Sequence, residues 1–333
     1  MSTSRHAVLH AIQQLDSEKD HQHIVFLSNC CDFPFDTSRS LEFALFRTFC
    51  VPIALFSVLL FFSSEIGAQD GTLPEKLLTV WAGMLPIILS APHGGRQSIP
   101  GVPVRRGVAV AQFTAERDHN TDELASRTAA KLEERLGVKP FLIIALFDRK
   151  YVDANRPTAG AFESVQARPC YESYHRALRD ACMAVRRDWG RGLLLDIHGQ
   201  GAEVDVVYRG TNNGKTVMSL LDQFGEQAIT GPASIFGHLE KKGYKVLPPV
   251  GYLSKEERYT GGYIVQTYGS HQQTGIDAIQ LEIGANLRRR SALDRTAADL
   301  ADAIVIFTRK YLPAAKLSVG AQLYDSPALQ SAK

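Results

Sequence analysis

Four stretches of the sequence end an apolar run on residues that can do chemistry. Residues 85–92, LPIILSAP, lead into His93-Gly94-Gly95-Arg96. Residues 141–147, FLIIALF, lead into Asp148-Arg149 and then Asp153-Ala154-Asn155-Arg156. Residues 192–199, GLLLDIHG, contain Asp196 and His198, and AIQLEIG at 278–284 contains Gln280 and Glu282. A divalent zinc takes three protein ligands from His and Asp or Glu and keeps an open position for water. His93 and His198 supply two, and the glycine beside each lets backbone and ligand approach closely. Asp118 is the candidate for the third, with Glu116 in reserve. Asp196 is placed either as a strand-end acid or as a carboxylate that orients an imidazole or contacts the metal site from outside. Asp153 is expected to support the ligands from outside as Asp196 would, the alternative being that it simply pairs with Arg156 at the surface. Glu282 lies on a run whose alternate positions are apolar, and a buried carboxylate needs a partner or a function.

Bringing these residues together requires a scaffold that gathers strand ends. The apolar runs have the length and β-branched content of buried strands. Between them lie helices. Asn120-Thr121-Asp122-Glu123 offers an N-cap, after which Leu124, Thr128, Leu132 and Leu136 recur every four residues up to Gly137. Tyr171, Tyr174, Leu178, Cys182, Val185 and Trp189 form a second helical stripe. Leu293, Ala297, Leu300, Ile304 and Phe307 form a closing one. Strands alternating with helices predict one α/β domain over residues 74–313, a three-layer arrangement of a mixed, mainly parallel sheet with helices on both faces. Ligands of such sheets bind beyond the carboxyl ends of the strands, where these residues fall. No internal repeat or Pro/Gly/Ser-rich linker divides the domain. GTNNGKT at 210–216 looks like a phosphate loop, but Arg209 stands where the motif needs glycine. Arg288-Arg289-Arg290 reads as a solvated approach to the last helix.

Composition narrows the partners. Of 333 residues, 45% are hydrophobic and 22% charged, and 37 Lys plus Arg against 35 Asp plus Glu give a net charge of +2. This is a globular composition with no basic footprint for nucleic acid. Five cysteines without a CxxC pair build neither a disulfide framework nor a thiolate zinc site. Cys170 and Cys182, twelve residues apart along one helix, would stand about 18 Å from each other, beyond disulfide reach. Residues 48–62, TFCVPIALFSVLLFF, carry no charge over fifteen positions. That is short for a membrane span of about 20 residues but suits the apolar centre of a signal peptide. The chain thus reads as a poorly ordered extension at 1–46, a signal peptide or membrane anchor at 47–68, the α/β domain, and a tail at 314–333. The expected location is exported, periplasmic or secreted, or membrane-anchored, with membrane contact only through this segment if it is not cleaved.

Taken together, the motifs resemble those of the N-formylglutamate amidohydrolase family, zinc hydrolases whose fold is similar to that of zinc carboxypeptidases and aspartoacylase. The resemblance spans most of residues 85–287. It rests on SAPHGGR, DHNTDEL, LFDRKYVDANRP, YESYHRAL around His175, LLLDIHGQG, RYTGGYIVQTYG around Gly261 and Gly262, and AIQLEIG, in the family's order. It implies zinc as cofactor and His93 and His198 as ligands. Carboxypeptidases and aspartoacylase place a glutamate three residues after the first histidine. Here that residue is Arg96, which leaves the third ligand to Asp118 or Glu116.

The resemblance further implies that Glu282 is the general base, moving a proton from water to the leaving amine. Arg149 would polarise the scissile carbonyl. Asn155 and Arg156 would hold a substrate carboxylate, with Gly262 beside them. Where the family commonly has serine after each histidine, this chain has Gly94 and Gly199, which implies extra room and an acyl group larger than formyl. The expected activity is zinc-dependent hydrolysis of a C–N amide bond in an N-acyl amino acid such as N-formylglutamate. Its substrate would be a small-molecule or peptide carboxylate. The alternatives are an exported metallopeptidase or amidase acting on glutamyl or cell-wall peptides, and a carboxylate-binding protein without catalysis.

Overall fold

The structure is a computed structural model and describes residues 72–108 and 112–312. The expected extension at 1–46, the segment at 47–68 and the tail at 314–333 lie outside these residues. Among the described residues there are seven strands: β1 Leu78–Trp81, β2 Ile87–Ala91, β3 Phe141–Ala145, β4 Leu193–Gln200, β5 Val206–Gly210, β6 Lys245–Leu247 and β7 Asp277–Gly284. They form one sheet in the order β1-β3-β2-β4-β7-β5-β6. β3, β2, β4 and β7 run parallel, β1 is antiparallel to β3, and β5 is antiparallel to β7. The sheet is therefore mixed and mainly parallel. The edge strands β1 and β6, four and three residues long, were not expected. Such lengths are too short for a two-residue alternation to register.

Helices cover both faces, which is why the central strands read as unbroken apolar runs. α1 Thr121–Leu136, α3 Ile235–Lys241 and α5 Leu293–Tyr311 pack on one face, against Leu89, Leu195, Ile279 and Leu281. α2 Arg168–Trp189 and α4 Tyr263–Tyr268 pack on the other, against Ile88, Leu194 and Ala278. The stripes that bury these helices are the expected ones. Leu124, Thr128 and Leu132 are buried on α1, and Tyr174, Leu178, Cys182 and Val185 on α2. α1 stops where glycine takes a left-handed backbone, Gly137 at φ 73°. Its N-terminus differs from expectation. Asn120 adopts φ 65°, makes no side-chain cap, and donates Nδ2 to the carbonyl of Arg288 at 2.9 Å. The left-handed turn points its amide away from the first helical N–H groups.

Cys170 and Cys182 are free and buried, and burial pushes the Cys182 thiol up to about 12. In the loop after β5, the Glu256 carboxylate accepts from Thr211 N at 2.8 Å and Asn213 N at 2.9 Å. Those amides are thus already occupied by an internal anion, itself paired with the buried Arg209. Among the described residues no helix is long and apolar enough to cross a membrane.

Candidate active site

Along β4 and β7 the face that carries α2 changes character part-way. Its first side chains, Leu194 and Ala278, are apolar and lie under α2. The next on the same face are Asp196 and Gln280, then His198 and Glu282, which pair across the two strands. On β2 the matching position is Ser90, opposite Asp196. The alternation of strand side chains therefore puts Ser90, Asp196, His198, Gln280 and Glu282 on one face, toward the carboxyl ends. His93 lies just beyond β2. Asp118 reaches it although twenty-five positions separate them, because the Asp118 N–H donates to the carbonyl of His93 at 3.0 Å.

His93, Asp118 and His198 offer three ligand atoms that all lie within 4.8 Å of one another, and all three residues are buried. Asp118 Oδ2 is 3.4 Å from His93 Nδ1 and 3.3 Å from His198 Nδ1. Each imidazole is held from behind. His93 Nε2 is 2.7 Å from Asp153 Oδ1, and His198 Nε2 is 2.7 Å from Asp196 Oδ2. With Nε2 donating to a carboxylate, Nδ1 keeps its lone pair for the centre of the group, the usual arrangement behind a metal-bound histidine. His93 Nδ1 is buried with no hydrogen-bond partner. Two imidazole lone pairs and a carboxylate oxygen facing one another fit a divalent cation. Glu116 is exposed and stands apart, and Arg96 points outward to Asp122 at 3.6 Å.

Asp118 and Asp153 stay ionised beside the histidines. Burial alone would raise the Asp118 carboxyl, but the imidazoles of His198 and His93 beside it outweigh that and hold it well below the usual range. Asp153 behaves likewise, with burial overcome by His93, Arg149 and Arg105. Asp153 does lie 4.0 Å from Arg156 Nε, but it is not at the surface. It is 1% exposed and accepts two bonds of 3.0 Å from the Arg149 guanidinium as well as its bond from His93. Arg149 Nη1 also lies 3.4 Å from Asp118 Oδ1, so its charge sits beside the group. For His198, burial would lower the imidazole, but Asp196 and Asp118 keep it well above its ordinary value.

Glu282 differs from these acids. Burial pushes its carboxyl up to about 7, with the nearby His198 acting in the opposite direction. Its Oε1 accepts from Gln280 Nε2 at 2.8 Å. Gln280 Oε1 in turn accepts from Gly262 N at 2.7 Å and Asn155 Nδ2 at 3.3 Å, while Asn155 Oδ1 accepts from Ile264 N at 2.8 Å. Asn155 and Gln280 thereby fasten the turn at Gly261 and Gly262 to the site. Gly262 has no room for a side chain, because a Cβ there would meet the Asn155 amide. Arg156 is partly exposed at the rim and donates Nη2 to the carbonyl of Gln112 at 3.3 Å.

Two expectations are corrected. Gly94 and Gly199 do not enlarge the pocket. A Cβ on Gly94 would lie 2.6 Å from Asp122 Cβ, and one on Gly199 would lie 2.8 Å from Arg288 Nη2. The space that serine would take is filled by other parts of the protein. Arg288 is not a solvated charge either: it is 7% exposed, whereas Arg289 and Arg290 are exposed. The turn Ala285–Arg288 folds it back over the ends of β4 and β7. Ser90, whose Oγ donates to Asp196 Oδ1 at 2.6 Å, was also missed. A serine inside the run LPIILSAP was the signal for it.

The fold and the buried His-Asp-His group together define an α/β protein with a candidate metal centre at its strand ends. Residues 163–288 match the family model of N-formylglutamate amidohydrolase. That similarity is to the family its motifs resemble. The N-formylglutamate deformylase of Pseudomonas aeruginosa is 24% identical over 282 residues, which cover 72% of this chain and 95% of that protein. Among solved structures, N-formylglutamate amidohydrolase from Ralstonia eutropha JMP134 is similar at 18% identity and a TM-score of 0.48, over 70% of this chain and 96% of that one. A gene product of Agrobacterium tumefaciens is similar at 14% identity and a TM-score of 0.47, over 70% and 95%.

Proposed function

We propose that the protein is a zinc-dependent amidohydrolase that cleaves the C–N amide bond of an N-acyl amino acid, with N-formylglutamate as the reference substrate. The observation that supports this most is the convergence of His93, Asp118 and His198 beside the buried carboxyl of Glu282. Zinc held there would polarise the scissile carbonyl and make a water acidic enough to react near neutral pH. The chain's own residues account for the rest. Glu282 has one oxygen occupied by Gln280, so the other accepts the proton of the attacking water and later returns it to the leaving nitrogen. A carboxyl titrating at about 7 is matched to both halves of that task.

Arg149, fixed by Asp153 and Asp118, keeps a positive charge where the carbonyl oxygen becomes negative. Arg156 at the rim binds the substrate carboxylate, and Asn155 supports it indirectly by holding the turn at Gly262. The decisive experiment combines metal analysis with a substrate screen. Purified protein should carry stoichiometric zinc and release formate from N-formylglutamate, and His93→Ala and His198→Ala should lose both properties. Wild-type protein that takes up no metal under any loading condition ends this reading. Turnover of γ-glutamyl or cell-wall peptides in place of N-formyl and N-acetyl amino acids would move the substrate to the peptide class.

A further inference from the structure

Arg288 lies on no strand and is no metal-ligand candidate, yet it touches the backbone beside Asp118, His198 and Glu282. Its Nε donates to the carbonyl of Ile283 at 3.0 Å, Nη2 to Gln200 at 3.2 Å, and Nη1 to His119 at 2.5 Å. Ile283 follows Glu282, Gln200 ends the strand that carries His198, and His119 follows Asp118. Among the described residues no carboxylate pairs with this buried guanidinium, so carbonyl oxygens solvate it. Asn120 closes the arrangement by donating Nδ2 to the carbonyl of Arg288. The guanidinium lies against Gly199, where any Cβ would overlap it. The Gly199 N–H donates to Asp118 Oδ2 at 3.0 Å. One planar cation therefore spans the ends of β4 and β7 and the segment that carries Asp118.

We propose that Arg288 is the positioning residue of the metal centre, and that position 199 is glycine so that its guanidinium can lie there. A planar fork with five donors can hold three carbonyls in fixed relative positions. A lysine ammonium at the same place would keep the charge but not the geometry. Arg288 thus acts through Asp118, His198 and Glu282, and touches no substrate. The inference rests on the metal-centre reading above, and its test separates the two.

The test is titration of metal-free protein with cobalt(II), following affinity and the visible absorption that reports coordination geometry. It is applied to wild type, Arg288→Lys, Arg288→Met, Gly199→Ser and the double variant Gly199→Ser/Arg288→Met. Arg288→Lys should fold, bind cobalt about 10- to 100-fold more weakly and show an altered spectrum, the scale of loss usual when groups behind metal ligands are changed. Gly199→Ser should lose affinity similarly by displacing the guanidinium. In the double variant the two losses should not multiply, leaving affinity within about twofold of Arg288→Met, because the serine then meets no guanidinium. A merely structural arginine would lower the melting temperature and leave cobalt affinity and spectrum unchanged in the folded variants. That result overturns the proposal, as would losses that multiply in the double variant. Wild-type protein that binds no cobalt overturns the metal-centre reading instead.

Discussion

On one face of β4 and β7, Leu195, Ile197, Leu281 and Ile283 pack without interruption into the cluster shared with α1 and α5. On the opposite face of the same strands, Leu194 and Ala278 give way to Asp196, His198, Gln280 and Glu282. The backbone is continuous, so the difference lies in what each face asks of its side chains. The first is held by buried area, which is non-directional and tolerant of shape-conserving change. The second is held by a network in which most polar groups have a named partner, and losing one partner leaves the other unpaired in a medium that penalises it. Stability is concentrated on one face and chemistry on the other. Glu282 shows the conflict most plainly, since burial works against the ionised form that a general base requires.

The largest expected effect comes from removing the proposed base. Glu282→Gln should lower kcat/KM by about 10²–10⁴-fold, the usual contribution of a general base. It should leave the melting temperature unchanged or higher, since it removes a carboxyl that burial disfavours. In wild type the rate should rise with pH as Glu282 loses its proton and level off above. Its midpoint should lie at or below about 7, because a bound cation favours the carboxylate. The variant should lack that limb. A pH–rate profile with thermal melts decides the matter, and a Glu282→Gln protein with wild-type turnover would refute the assignment.

Leu195→Ala on the other face should do the reverse, costing about 2–5 kcal/mol of stability in denaturant melts while the folded fraction keeps its kcat/KM. If activity falls and stability does not, the two faces are not separable in this way. Smaller again is Asp196→Asn, which keeps shape but weakens the bond behind His198. It should cost about 10- to 100-fold in zinc affinity, measured by chelator competition. Unchanged affinity would mean that Asp196 serves Ser90 alone.

Much of this was visible in the residues. The buried strands and helix stripes follow from apolar spacing, and the polar residues at strand ends follow from the alternation of strand side chains. What could not be read depends on where the chain returns in space. Asp118 reaches His93 through a main-chain hydrogen bond across a segment with no periodicity, so sequence could only note its place ahead of a helix. Arg288 looked solvated because a run of three arginines does not reveal the short turn that folds one of them inward. Gly94 and Gly199 announced missing side chains but not that Asp122 and Arg288 would fill the space. Asn120 has the composition of a cap, and its left-handed backbone removed that role.

Asp153 and Asp196 hold the far nitrogen of each histidine, so both imidazoles offer the nitrogen nearer the main chain. A ligand atom so close to the backbone has little rotamer freedom. If the site takes the divalent cation proposed above, loading would be an exchange of cargo, because His198, whose basicity is well above ordinary, would have to give up a proton to serve as a ligand. The apparent affinity for zinc should accordingly climb with pH, with the backbone the same on both sides of the exchange.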